Sequence, residues 1–360
     1  AGWLSSTAFR ALGLPVHEGH LDEDEWFPIY QRLADLPEDP AVVRASLESA
    51  MRAAAAKGVV GIADMEFEAG RLEWPQRTAD GLVLLRVRPA TYPEGLEETI
   101  AAGVRTGDVL DGTGLVTMGP LKVITDGSLN TRTAWCCEPF VTDDDLGDPH
   151  GKSTVGPEEL TELLRRAHVH GLDGAVHAIG DQALLDALDA YAASGARGTI
   201  EHAQLVRMEA LQRFADLGLV ASVQPAHLLD DRDPTEALWP DRLDRCFALR
   251  SMTTAGIPLR LGSDAPVSPL DPWLAMAAAV HRSADEREPW APEQAITPRE
   301  ALLASTDGVT ELVVGGPGDV ALLAEDPCPA GLPGTAAQAA HLRETRVLAT
   351  FVGGRLTHSA

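Results

Sequence analysis

The chain has 360 residues and a formal net charge of −25, and 45% of its residues are hydrophobic. An acidic balance of this size repels phosphate backbones and anionic lipid, which argues against nucleic acid and membrane partners. The sequence contains neither an apolar run of the roughly 18 residues that span a bilayer nor the pattern of a signal peptide. We therefore expect a cytoplasmic protein that acts on a small molecule.

From about residue 58 the sequence alternates short apolar runs with amphipathic helical patterns, which predicts parallel strands joined by crossover helices. The predicted strands are 59–65, 82–87, 121–125, 174–177, 199–202, 220–224 and 257–263. The predicted helices that link or follow them include 158–168, 181–193, 209–216, 241–255 and 298–305. This order is typical of an α/β protein built on a (β/α)8 TIM-type barrel, of which seven strands are readable.

The C-terminal part of the sequence has a different pattern. Short strands are predicted at 319–324, 347–351 and 355–357, and a stretch rich in Pro and Gly lies at 327–334. We therefore predict a barrel domain over 1–310 and the C-terminal part of a small β-sandwich over 311–360.

Polar side chains stand near the ends of several predicted strands. His177 and His202 each end an apolar strand, Asp264 follows the last predicted strand, and Lys122 lies within the third. Taken alone, a strand-end His is more often a hydrogen-bonded structural residue, and G-S-D-A-P is an ordinary turn. Barrel enzymes, however, build their sites at the carboxyl ends of strands, so the recurrence favours a site. Two neutral imidazoles on adjacent strands are natural metal ligands, and a carboxylate there can bind the metal or accept a proton from water.

A second histidine pair, His168 and His170, has the H-x-H spacing of a metal site. Because it falls at the end of the predicted helix 158–168, residues two apart diverge by about 200° and cannot share one ion. We predict that this pair is a helix terminus.

Five motifs in the same order resemble the amidohydrolase superfamily, and specifically its amidohydrolase family 3 branch, which includes N-substituted formamide deformylases. The motifs are D-G-S-L-N-T-R-T-A at 126–134, V-H-A-I-G-D at 176–181, I-E-H-A-Q-L-V at 200–206, S-V-Q-P-A-H at 222–227 and G-S-D-A-P-V-S-P-L-D-P at 262–272.

The resemblance implies a role for each matching residue. His177 and His202 would be metal ligands on the fifth and sixth barrel strands, and Asp264 would be both a ligand on the eighth strand and the general base. Lys122 would be the lysine of the fourth strand that becomes carboxylated, because a carbamate offers two oxygens that bridge metals whereas an ammonium cannot ligate a cation. The implied cofactor is a divalent metal, with zinc expected, as one or two ions.

Two further residues are expected at the mouth of the barrel. By the same resemblance Arg132 and His227 would contact substrate, although a surface salt bridge explains Arg132 about equally well. Asp181 follows the His177 strand and fits a helix cap as readily as a site residue.

The sequence departs from the family in one respect. Members carry an H-x-H pair at the end of the first barrel strand, preceded by strands of the β-sandwich, and neither is present in this sequence. We therefore expect an N-terminal segment of the same protein to supply that strand. An alternative is a truncated or catalytically inactive homologue that binds a small ligand.

These inferences predict a metal-dependent hydrolase that cleaves a C–N bond of a non-peptide amide, formamide or cyclic amide by a metal-activated water. A homodimer is left open. A barrel lyase or isomerase acting on a phosphorylated substrate is the remote alternative. It would need a Gly-rich phosphate loop after the last strand, where the sequence has A-P-V-S-P at 265–269.

Overall fold

A computed structural model of the chain describes residues 2–19, 21, 23–36, 39–67, 70–142 and 147–360. By its internal contacts the chain divides into two compact units, Ala1–Ala50 and Met51–Ala360. The first unit begins with α1 (Ser6–Ala11), whose N-terminus is capped by the Ser5 side chain. It continues with α2 (Glu23–Gln31) and a short 3-10 turn, and α3 (Pro40–Ala56) runs into the second unit.

The second unit alternates strands and helices as the sequence predicts. Its strands are β1 (Gly61–Asp64), β2 (Arg86–Pro89), β3 (Leu121–Ile124), β4 (Gly174–Ala178), β5 (Gly198–His202), β6 (Val220–Val223), β7 (Leu259–Leu261), β8 (Val320–Leu323), β9 (Val347–Val352) and β10 (Arg355–Ser359). Its helices are α4 (Gly70–Ala79), α5 (Pro93–Ala101), α6 (Pro157–Val169), α7 (Asp181–Ser194), α8 (Leu211–Asp216), α9 (His227–Leu238), α10 (Leu249–Thr254), α11 (Pro272–His281), α12 (Pro298–Ala304) and α13 (Gly334–Arg343).

The first seven strands form a parallel arc in chain order. β1 pairs with β2, and β3 to β7 form one continuous five-stranded sheet. A parallel bridge between Thr91, just after β2, and Leu121 connects the two sheets. Within the described part of the chain, β1 and β7 each pair on one side only. This arrangement is the (β/α) barrel expected from the sequence, with seven strands in place.

Alternation along the strands sends neighbouring residues to opposite faces of the sheet. Val123, Val176 and Ile200 belong to a large hydrophobic core that also contains residues of α6 and α7, such as Leu160 and Leu184. The residues next to them, including Lys122 and His177, therefore face the other side of the sheet. The apolar side chains that pack the helices against the sheet therefore occupy its outer face. Polar side chains can occupy the inner face.

A smaller hydrophobic cluster lies under the loops that follow the strands. It contains Leu129 after β3, Ile179 after β4, Leu205 after β5 and Leu228 after β6. Since all four positions follow a carboxyl end, this cluster fixes the loops on the side of the barrel where the candidate residues lie.

The C-terminal strands form a separate antiparallel sheet in the order β10-β9-β8. Thr350 of β9 is fully buried and donates from Oγ1 to the carbonyl of Ala55 in α3 at 2.6 Å. The boundary at residue 310 stays a prediction, because the contacts divide the chain elsewhere.

Two helical features differ from the expectation. The predicted helix 241–255 is wrong as a single helix: a 3-10 turn at Leu243–Arg245 is followed by α10, because Phe247 between them has a φ of 47°. The sequence reading also omitted α13, although its residues Ala339 and Leu342 belong to the main core.

Among the described residues, no helix is both long enough and apolar enough to cross a membrane.

Candidate metal centre

The strands place the predicted residues on one side of the arc. Lys122 pairs in register with Ala175, two residues before His177 on β4. His202 ends β5 and pairs with Ala178. The backbone of Lys122 therefore lies level with a position two residues before His177, which is about 7 Å along the strand from it. A lysine side chain is long enough to reach across that distance.

Three imidazoles and a carboxylate cluster at the strand ends. The ring centroids of His177 and His202 are 4.5 Å apart, and those of His202 and His227 are 5.9 Å apart. Nε2 of His227 lies 3.9 Å from Oδ2 of Asp264. Ligand atoms of His202, His227 and Asp264 all lie within 4.8 Å of one another. The structure therefore places His227, expected as a substrate contact, among the candidate metal ligands.

The polar atoms of this group fit a bound cation. His202 Nδ1, His227 Nε2 and Gln224 Oε1 are buried, and none has a hydrogen-bond partner among the described residues. Burying such atoms without a partner costs about 1–3 kcal/mol each. Two nitrogens and a carboxylate oxygen are ligands that zinc prefers, and two ligand atoms on one zinc ion lie about 3.4 Å apart. Nε2 of His227 and Oδ2 of Asp264, which are 3.9 Å apart, are close to that spacing.

Two of the candidate ligands, and the residue after one of them, have a strained backbone. His202 has a φ of 71°, Ala203 a φ of 41° and Asp264 a φ of 52°. Non-glycine residues in the left-handed region cost free energy, and they persist mainly where surrounding structure imposes them, often at functional sites.

Burial shifts the pKa values of His202, Lys122 and Asp264. It lowers the pKa of His202 well below its usual value, and the nearby His177 and Lys122 lower it further. The imidazole is thus neutral at pH 7 and keeps a lone pair for a metal. Burial also lowers the pKa of Lys122, against an opposing effect of Glu201 and Asp264. For Asp264 burial raises the pKa, while His227 and Lys122 lower it.

Glu201 is a buried carboxylate that sequence reasoning did not select. It precedes His202 on β5, pairs in register with His177, and accepts a hydrogen bond from Thr199 Oγ1. Of the carboxylates that oppose the lowering of the Lys122 pKa, Glu201 has the largest effect. A Glu inside an apolar strand is the only hint of this role that the sequence offers.

Asp126 is a second residue that sequence reasoning missed. It follows β3 within the D-G-S motif, is fully buried, and binds Nδ1 of His177 at 2.8 Å. Hydrogen bonds of this kind orient the histidine ligands of metal sites.

The remaining candidates lie in loops or at the ends of helices. Asp181, the first residue of α7, accepts hydrogen bonds from the Cys137 amide at 2.8 Å and from Arg245 at 3.0 Å. It therefore anchors a loop instead of capping its helix. Arg132 lies in the loop after β3 with a φ of 59°. His168 lies in the last turn of α6, as predicted.

The fold and this group of residues define a barrel-type protein with a candidate metal centre at the carboxyl ends of its strands. Residues 17–358 match the model of the amidohydrolase family in its family 3 form. The chain therefore belongs to amidohydrolase family 3.

Known proteins resemble this chain over part of their length. Protein LONG AFTER FAR-RED 3 of Arabidopsis thaliana is 35% identical over 199 residues, which cover 52% of this chain and 34% of that protein. The N-substituted formamide deformylase of Arthrobacter pascens is 30% identical over 229 residues, covering 58% of this chain and 40% of the enzyme. The chain thus spans less than half the length of these relatives. A metal-dependent hydrolase from Pyrococcus furiosus matches with a TM-score of 0.72 at 26% identity, over 84% of this chain and 64% of that one.

Proposed function

We propose that this chain carries the catalytic centre of a metal-dependent hydrolase that cleaves a C–N bond of a non-peptide amide, formamide or cyclic amide. The observation that carries the proposal is the group formed by His202, His227 and Asp264, whose ligand atoms lie within 4.8 Å of one another and include two buried imidazole nitrogens without a hydrogen-bond partner in the described part of the chain. The similarity to a formamide deformylase supports this class of bond.

The residues divide the work as follows. A divalent metal, with zinc expected as one or two ions, would polarise the carbonyl and make a bound water acidic. His177, His202, His227 and Asp264 would hold it. Asp264, half-exposed at the strand end, would take the proton of the attacking water and deliver it to the leaving nitrogen.

Lys122 would contribute as a carbamate. Burial lowers the pKa of its amine, so the neutral form that reacts with carbon dioxide is more populated than in a surface lysine. The amine nitrogen forms a bond to the carbon of carbon dioxide and releases one proton, which leaves a carboxylate two residues below His177 in the register. The carbamate oxygens would then be available as further ligands for a cation that the histidines hold.

Substrate contacts are a separate part of the proposal. Arg132 lies in the loop after β3, and an arginine there would suit a carbonyl or carboxylate of the substrate. Arg132→Lys is expected to raise KM more than it lowers kcat.

Metal analysis of the purified protein, combined with amine release from a panel of formamides, cyclic amides and N-acyl compounds, tests the function. Stoichiometric metal with hydrolysis supports it. Stoichiometric metal with ligand binding but no turnover would favour the inactive homologue instead.

A further strand between β7 and β1 belongs to the same proposal, because within the described residues each of these strands has a neighbour on one side only. A homodimer and a cytoplasmic location stay predictions from the sequence.

A further inference from the structure

Asp126 is held by three backbone N–H groups and one imidazole nitrogen. Its Oδ1 lies 2.8 Å from Nδ1 of His177 and accepts from the amide of Ile179 at 3.1 Å. Its Oδ2 accepts from the amides of Gly180 at 2.8 Å and Trp135 at 3.0 Å. The carboxylate is 0% exposed, so water does not compete for these oxygens.

The same contacts join the loop after β3, the end of β4 and the start of α7. Gly180 is the N-cap residue of α7, and the carbonyl of Trp135 accepts from the helix amides of Gln182 and Ala183 at 3.1 and 3.2 Å. Asp126 and the Trp135 carbonyl therefore accept from three of the N–H groups at the start of a 14-residue helix, those of Gly180, Gln182 and Ala183. A Cβ at Gly180 would lie 1.9 Å from the Trp135 carbonyl oxygen, which shows how closely the loop after β3 packs on the helix start.

The geometry fixes which nitrogen of His177 carries the hydrogen. Three of the four partners are backbone amides, which can only donate, and they hold Asp126 as an ionised carboxylate, which can only accept. In the neutral imidazole the hydrogen must then sit on Nδ1, and the lone pair on Nε2, which faces away from Asp126. We propose that Asp126 is the positioning residue that sets this tautomer of His177 and so makes Nε2 available to a cation. The use of Nε2 as a metal ligand rests on the proposed function. The tautomer itself can be measured without metal and without activity.

Asp126→Asn should reverse the tautomer. Asparagine has one oxygen and one NH2 group in the place of two oxygens. Its oxygen is best placed at the Oδ2 position, where the amides of Gly180 and Trp135 point. The NH2 group then faces His177, whose Nδ1 can become an acceptor while the backbone amides cannot. The hydrogen of His177 moves to Nε2, and the lone pair that a metal needs is lost.

The test is nuclear magnetic resonance of the metal-free full chain labelled with 15N-histidine, in which two-bond 1H–15N correlations distinguish the two tautomers. His177 should carry its hydrogen on Nδ1 in the wild-type protein and on Nε2 in Asp126→Asn. In a competition assay with a chromophoric chelator, Asp126→Asn should bind Zn²⁺ about 10- to 100-fold more weakly.

Asp181→Asn is the matched control, because Asp181 is also 0% exposed and also anchors the 135–138 loop to α7, but within the described part of the chain no hydrogen bond joins it to a histidine. This variant should keep the wild-type tautomer and zinc affinity. A hydrogen on Nε2 of His177 in the wild-type chain would overturn the proposal even if Asp126→Asn failed to fold. Equal zinc affinities of the two variants would overturn it as well. A correct tautomer in a chain without hydrolase activity would contradict the proposed function alone.

Discussion

Replacement of Asp264 distinguishes its role as a metal ligand from its role as the general base. Asp264→Asn keeps the size and shape of the side chain but removes the group that accepts the proton of the attacking water. We expect kcat to fall at least about 10²-fold, the usual effect of losing a general base. The measurement is amine release under saturating substrate, with metal content determined on the same samples.

The control for this change is Asp189→Asn, which removes the same charge from an exposed residue that pairs with Arg213 on the outside of the barrel. It should retain wild-type turnover. An Asp264→Asn enzyme with near-wild-type kcat would exclude Asp264 as the base.

Lys122 is expected to act through a carbamate and not through its ammonium. Lys122→Ala should lose activity, and added formate or acetate should restore part of it, because a free carboxylate can occupy the space that the shortened side chain leaves. Lys122→Arg should not be rescued, since its side chain still fills that space. Intact mass spectrometry under native conditions should detect the added carbon dioxide. A rescue of Lys122→Arg equal to that of Lys122→Ala would contradict this mechanism.

The sequence predicted the site residues that end strands, and it missed those that support them. His177, His202 and Asp264 are recognisable because each interrupts or follows an apolar run. Asp126 reads as the first residue of a D-G-S turn, since three of its donors come from residues 135, 179 and 180 and their approach is decided by folding. Polar partners that are distant in sequence leave no local pattern.

At the scale of single elements, α12 has a strongly reinforced start. Thr297 and Glu300 form a capping box, and Arg250 donates to both carboxylate oxygens of Glu300 at 2.7 Å. The hydrogen bonds from Arg250 are the main cause that lowers the pKa of Glu300 to about 2 from its ordinary 4.5. Because the folded pKa lies below the unfolded one, this stabilisation is complete above about pH 4.5 and is lost as the pH falls towards 2.

Glu300→Gln should therefore lower the denaturant midpoint at neutral pH. The difference from wild type should shrink as the pH falls from about 4.5 towards 2, because the unfolded wild-type chain then binds a proton at Glu300 that the folded protein does not. Denaturant unfolding followed by circular dichroism over this range measures it, with the exposed Glu311→Gln as control. A difference that stays constant with pH would show that Glu300 acts through packing and not through its charge.

Elements were predicted best where periodicity and burial agree. β3 to β6 are short apolar runs that are buried on the core side, and all of them formed. The predicted helix 241–255 failed because Cys246 forms an antiparallel bridge with Leu205 and the backbone of Phe247 turns there, which are tertiary effects. α13 was not predicted because its Ala-rich sequence directly follows a stretch of Pro and Gly that indicates a loop.

For the molecule as a whole, the order of the seven parallel strands predicts that local stability falls from the central strands to the outer ones. β4 and β5 lie in the middle of the five-stranded sheet and are mostly buried, whereas β1 and β7 contain exposed positions and pair on one side only among the described strands. Amides with fewer buried contacts around them open more readily. Hydrogen exchange measured by mass spectrometry should therefore be slowest in peptides covering β4 and β5 and faster in those covering β1 and β7. Uniform protection across all seven strands would contradict this gradient.

The alternation within β4 and β5 limits how this gene can vary. Val176 packs against the helices and His177 faces the site, so the two faces accept point substitutions almost independently. A deletion or insertion of one codon inside either strand would exchange the faces, moving the core residue inward and the imidazole into the helix layer. Changes of length that survive selection should therefore fall in the connections, such as the long one between β3 and α6. The strands should keep their length in descendants that act on different substrates.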